Sequence, residues 1–130
     1  MKYKELIEVA RNAKNYSYSP YSKFRVGAAV LTKAGKIYSG CNIENSSYSL
    51  TICAERTALF KAISVGEREF VAIVISTDEK DFITPCGACR QVISDLAGNI
   101  EIILTNGSGK IKKFRTNDLL PHPFTPPNLE

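Results

Sequence analysis

The run "FVAIVIST", residues 70–77, is apolar or β-branched almost throughout. It reads as a central strand buried on both faces, and the segments on either side take their places from it. Upstream, residues 53–64 form a helix, with Ala54, Ala58, Leu59, Ala62 and Ile63 along one face and Gly66 closing it. Downstream, a second cysteine-bearing helix runs over residues 87–96, and "IEIILT", residues 100–105, returns as a strand. A strand, helix, strand series requires a right-handed crossover and a largely covered sheet.

Further out, Tyr3, Leu6, Ile7, Ala10 and Ala13 recur at helical spacing, so the first fifteen or so residues predict an amphipathic helix. "NYSYSPYS" breaks it with Pro20 and a cluster of hydroxyls. "RVGAAVLT", residues 25–32, reads as a strand whose small residues expect close packing by a neighbour. "KAG" turns the chain into a second strand at residues 36–43, giving a hairpin, and "NIENSSYSL" follows as a polar loop. "NGSGK" leads into a last strand at residues 111–115. The order α-β-β-α-β-α-β-β predicts a three-layer α/β/α sandwich around a mixed sheet of about five strands, as one domain over residues 1–130.

At 130 residues there is room for one core and not for two. No apolar run is long enough to span a bilayer, and "MKYKELIEVA" lacks the apolar block of a secretion signal. The expected compartment is therefore the cytoplasm, with no membrane partner. Thiols stay reduced there, so four cysteines point to metal or catalysis rather than disulfides. The net charge of +4 is modest, and its main cluster is Lys110, Lys112, Lys113 and Arg115. A nucleic-acid groove needs more, with aromatics for stacking, whereas lysines guarding an exposed edge strand account for this cluster; no nucleic-acid partner is expected.

Cys53, Cys86 and Cys89 each fall at or next to the start of a predicted helix. There, unpaired amides and the positive end of the helix dipole favour thiolate over thiol. Cys86-x-x-Cys89 lets two thiolates reach one ion, Cys53 arrives from the neighbouring helix, and zinc suits such soft tetrahedral ligands. Neither Cys41, read as a small buried thiol in mid-strand, nor His122, between two prolines on a surface turn, belongs to a second paired motif. Three protein ligands leave a fourth position open, where a catalytic zinc acidifies water. Glu55 can then point into the same pocket and shuttle protons to a substrate nitrogen without ligating the metal. Arg56 would offset the negative charge of three thiolates on one zinc ion. A redox CxxC pair leaves Cys53 and Glu55 unexplained, and a closed structural zinc wants a fourth ligand. Glu55 as a helix-start charge and Arg56 as a solvated side chain remain readings for either residue alone.

"CAE" with "PCxxC" is the zinc-deaminase signature in its three-cysteine form. Together with "SPYSKFRVGAAV", "GCNIENSSYSL", "TICAERTAL", "TPCGACRQV" and "LLPHPF", the chain resembles the small homotetrameric cytidine deaminases along nearly its whole length. The resemblance implies a cytidine deaminase-like fold, one zinc per chain, and hydrolysis of cytidine and 2′-deoxycytidine to uridine and deoxyuridine with release of ammonia, a step of pyrimidine salvage. It implies Cys53, Cys86 and Cys89 as zinc ligands and Glu55 as the proton shuttle. Phe24 would lie beside the base, Asn42 and Glu44 would bind the ribose hydroxyls, and the backbone around Ala54 would contact the base. Tyr48 and Phe124 would complete a neighbouring subunit's pocket, although Phe124 folding back onto its own core is the alternative. Blasticidin-type, polynucleotide-editing and non-enzymatic zinc modules are the rival functions. "FRVGAAV" with "NIENSSY" favours plain cytidine over the first, the compact basic-poor chain speaks against the second, and Glu55 beside an open metal position against the third.

Overall fold

A computed structural model of the chain describes residues 3–125. The proline-rich end lies outside the described residues from position 126 onward. Five strands form one sheet: β1 (Val26–Thr32), β2 (Ile37–Cys41), β3 (Phe70–Thr77), β4 (Glu101–Thr105) and β5 (Ile111–Arg115). The helices are α1 (Lys4–Ala13), α2 (Ala54–Ser64), α3 (Gly87–Ala97) and the single turn α4 (Thr116–Leu119). The strand order is β2-β1-β3-β4-β5, with β3 and β4 parallel and the other neighbours antiparallel. β3 is central, as its unbroken apolar run predicts.

The sheet is covered on both faces, and the alternation of side chains along each strand decides what covers it. Val30, Ile73, Ile75, Ile102 and Leu104 meet Ala58 and Leu59 of α2 and Ile93 of α3. The intervening Ala29, Ala72, Val74 and Ile103 meet Leu6, Ile7 and Ala10 of α1. The layers are thus α1, the sheet, then α2 with α3. The small residues of the hairpin mark where helices press closest. A Cβ on Gly27 would lie 2.1 Å from the Ala10 carbonyl oxygen, and one on Gly40 would lie 2.5 Å from the Ala58 nitrogen. Both helices therefore touch the hairpin through backbone, which no side chain larger than hydrogen permits.

The lysine-bearing β5 is indeed an edge strand, with Lys112 and Lys113 exposed. Two local readings change. Cys41 is the last residue of β2 and only half-buried, its thiol donating to the Tyr16 carbonyl at 3.3 Å, because the hairpin ends two residues earlier than its apolar pattern. The polar loop is also less irregular than its composition: Ile43 bridges Tyr18 on one side and Ile52 on the other, and Tyr48–Leu50 makes a 3₁₀ turn. Among the described residues, no helix is long and apolar enough to cross a membrane.

Candidate active site

β1 begins where β3 ends, with Val26 paired to Thr77. The starts of α2 and α3 converge beside that end of the sheet, and a cavity of about 360 Å3 opens between them. Its size falls within the roughly 300–1,000 Å3 typical of small-molecule sites. Phe24, Asn42 and Glu44 line it from the flanks of the hairpin, Cys53, Ala54 and Glu55 from the start of α2, and Ile83, Thr84 and Cys86 from the loop into α3.

Cys53 and Cys86 are the N-cap residues of α2 and α3, and Cys89 lies one turn further on. The Cys86 sulfur accepts from the Cys89 backbone amide at 3.5 Å. All three sulfurs lie within 4.8 Å of one another, with Cys53 and Cys86 3.8 Å apart. Zinc–sulfur bonds of about 2.3 Å in tetrahedral array separate the sulfurs by about 3.8 Å, so the cluster fits the ion it was expected to hold. The cluster is positioned to bind one metal ion.

The electrostatics fit as well. Without a cation, Cys53 sits well below the usual thiol range, chiefly through the hydrogen bond from Cys89, with help from Arg56 and Cys86. Cys89 is correspondingly pushed up, first by that same bond to Cys53 and then by burial. Arg56 places Nη2 3.5 Å from the Cys53 sulfur and 3.5 Å from the Thr51 carbonyl, bringing positive charge to the thiolate. Glu55 is 4% exposed and lines the same cavity. Burial pushes its carboxyl up to about 7, and the Cys53 thiolate adds to the rise. A carboxyl of that acidity gains and loses a proton readily at neutral pH.

Around the rim, side chains are committed to specific partners. Asn42 is buried; its Oδ1 accepts from the Val26 amide at 3.0 Å and from the Ser17 hydroxyl, while Nδ2 donates to the Phe24 carbonyl at 2.7 Å. One N–H of Asn42 is left for a ligand. Glu44 Oε1 accepts from the amides of Tyr21 and Ser22 at 3.0 and 3.1 Å, and the Ser22 hydroxyl donates to Oε2. That hydroxyl bond is the main cause holding the Glu44 carboxyl below its ordinary value. Ser22 also accepts from the Phe24 amide at 3.0 Å, so one hydroxyl fastens both residues. Reasoning from sequence missed Ser22; its signal was a serine two residues before Phe24 in a proline turn, the setting of a local side-chain-to-backbone bond.

Tyr48 and Phe124 do not line the cavity. Tyr48 is 76% exposed with its ring edge-on to Tyr21 at 6.3 Å, and Phe124 is 74% exposed. Phe124 does not fold back onto its own core; its backbone is held at the surface by the side chain of Gln91.

The zinc-binding region of cytidine and deoxycytidylate deaminases matches residues 1–104. A cytidine deaminase of Sporosarcina psychrophila is 48% identical over 130 residues, spanning 99% of this chain and 96% of that protein. A probable cytidine deaminase of Dictyostelium discoideum is 50% identical over 124 residues, spanning 95% and 84%. The crystal structure of the cytidine deaminase from Burkholderia pseudomallei superposes with a TM-score of 0.91 at 47% identity, covering 95% of this chain and all of that one.

Proposed function

The chain belongs to the cytidine and deoxycytidylate deaminase family and is a zinc-binding cytidine deaminase, and from that premise we propose how its pocket works. Cys53, Cys86 and Cys89 hold the zinc, one per chain. What zinc supplies when bound is Lewis acidity, which makes water nucleophilic near neutral pH. The remaining work falls to the chain. Glu55 takes a proton from the attacking water and delivers it to N3 of the pyrimidine as C4 is attacked, then carries the second proton of that water to the departing 4-amino nitrogen, which leaves as ammonia. Its burial beside the sulfurs, with a carboxyl poised near neutrality, is the observation that carries this reading. Arg56 donates to Cys53 and draws off thiolate charge that would otherwise blunt the metal's acidity.

Phe24 packs against the base, and the backbone at Ala54 contacts its edge. Glu44, ionised and held by Ser22, accepts from a ribose hydroxyl through a free lone pair, and Asn42 offers its one remaining N–H. A site that pairs with a hydroxyl discriminates strongly against ligands lacking it, so nucleosides, in both ribo and 2′-deoxy forms, are the substrates rather than free cytosine. The chain works as one catalytic domain in the cytoplasm, in pyrimidine salvage. It assembles as a homotetramer with shared sites, in which Tyr48 and Phe124 close a neighbour's pocket. The exposure of both rings, each more than two-thirds free on one chain, supports that assembly.

Purified protein mixed with cytidine should shift the ultraviolet absorbance to that of uridine while releasing one ammonia per base. Cytidine left unchanged by zinc-replete protein would overturn the proposal.

A further inference from the structure

The second cysteine motif ends in Arg90 and Gln91, neither of which lines the cavity. Both side chains bond to the C-terminal segment. Arg90 donates through Nε to the Pro85 carbonyl at 2.7 Å and through Nη2 to the Thr84 hydroxyl at 2.9 Å. These are the two residues just before Cys86. Its third nitrogen, Nη1, donates to the Leu119 carbonyl at 3.0 Å, at the end of α4. One position along, Gln91 grips Phe124 from both sides: Nε2 donates to its carbonyl at 2.9 Å, and its amide donates to Oε1 at 3.0 Å.

The loop over residues 78–86 has no helix or strand of its own. Its beginning is tied down where Gly107 donates to the Glu79 carbonyl at 2.7 Å and Asn106 Nδ2 to the Lys80 carbonyl at 2.8 Å. Its end, which carries Cys86, is where the planar fork of Arg90 spans two loop groups and one from the C-terminal segment at once. A guanidinium offers such pre-set, charge-assisted donors at little conformational cost, and a lysine cannot match them.

We propose that Arg90 and Gln91 are positioning residues that fasten the C-terminal segment to the metal-binding loop, so that metal held by Cys86 and order over residues 119–124 stabilise each other. The coupling is reciprocal: whatever the segment adds to metal retention, the metal adds to the segment. It rests on the three-cysteine zinc site and is independent of whether Phe124 serves a neighbouring pocket.

Zinc transfer from loaded protein to a chromogenic chelator tests one direction. Arg90→Gln should release zinc roughly 10- to 100-fold faster than the unmodified protein, the usual effect of removing a group that supports a metal ligand. Gln91→Leu should give a smaller acceleration and Arg90→Lys an intermediate one. Tyr38→Phe, which removes a hydrogen bond to Glu67 past the far end of α2, should release zinc at the unmodified rate. Hydrogen exchange over residues 119–125 tests the other direction and needs no variant. Stripping zinc from the unmodified protein should speed exchange there, as should Gln91→Leu with zinc in place. Zinc release from folded Arg90→Gln at the unmodified rate would overturn the proposal. So would exchange over residues 119–125 that zinc removal leaves unchanged.

Discussion

Glu55 is almost completely buried one residue inside the start of α2, and that burial is the main cause that raises its carboxyl to about 7. Glu55→Gln preserves shape but carries no proton. It should keep zinc and fold while losing turnover by about ten-thousand-fold, the upper end for a general acid–base group, because it serves more than one transfer. Steady-state kinetics at matched zinc content checks this. Glu44 acts on a different part of the substrate. Glu44→Ala should raise KM for cytidine far more than it changes the slow turnover of free cytosine, and comparing both substrates in both proteins separates sugar recognition from a folding defect. Glu55 was legible from its place two residues after Cys53, and Glu44 only through the family resemblance. That Asn42 spends most of its hydrogen-bonding capacity on Val26, Ser17 and Phe24 was not, because its partners lie up to 25 positions away and only the folded hairpin brings them together.

At the scale of elements, the site exists because α2 and α3 start at one end of the sheet, and α2 is seated there by close backbone packing on the hairpin. Gly40→Ala places a methyl carbon 2.5 Å from the Ala58 nitrogen, so α2 must shift. Overpacking of this kind costs roughly 1–3 kcal/mol. Denaturant unfolding should show that loss, and metal affinity should fall with it because Cys53 moves with the helix. A second element-level tie is Asp78, just past β3, which accepts from Arg25 at 2.8 Å and from Lys14 at 2.8 Å. Arg25 is the main cause holding its carboxyl below the ordinary value, and Lys14 adds to it. A depressed carboxylate contributes stability that is present above its unfolded pKa and disappears as pH falls through its folded one. Unmodified protein should therefore be more stable than Asp78→Asn at neutral pH, with the difference shrinking below about pH 4. A gap in unfolding midpoints that stays constant as pH falls from neutral through the acid range would contradict the pairing.

Strand β3 was readable to the residue because an unbroken β-branched run admits one interpretation, and β5 because turn residues bracket it. α4 was not. Four residues carry no period, and its start is fixed by the Asp118 carboxylate accepting from the Arg115 amide at 2.8 Å and by Thr116 bonding back to Ile100 across the strand. The cysteine cluster was fully legible, since two N-caps and a one-turn spacing already define a triangle of sulfurs.

On the scale of the whole molecule, the proposed shared pocket gives the exposed rings of Tyr48 and Phe124 a role beyond one chain. Deleting residues 123–130 should raise KM for cytidine when the protein is assayed with zinc in excess, so that any faster loss of metal does not enter the comparison. Mixing that protein with Glu55→Gln protein under subunit exchange should restore part of the activity, in sites that take Glu55 from one chain and Phe124 from the other. Absence of rescue after proven exchange would place Phe124 within its own subunit. The account rests most on the dependence of turnover on the three-cysteine metal. Zinc content and cytidine turnover, measured together while a chelator strips one preparation, should fall in proportion from about one zinc per chain. Metal-free protein that still deaminates cytidine at the full rate would contradict it.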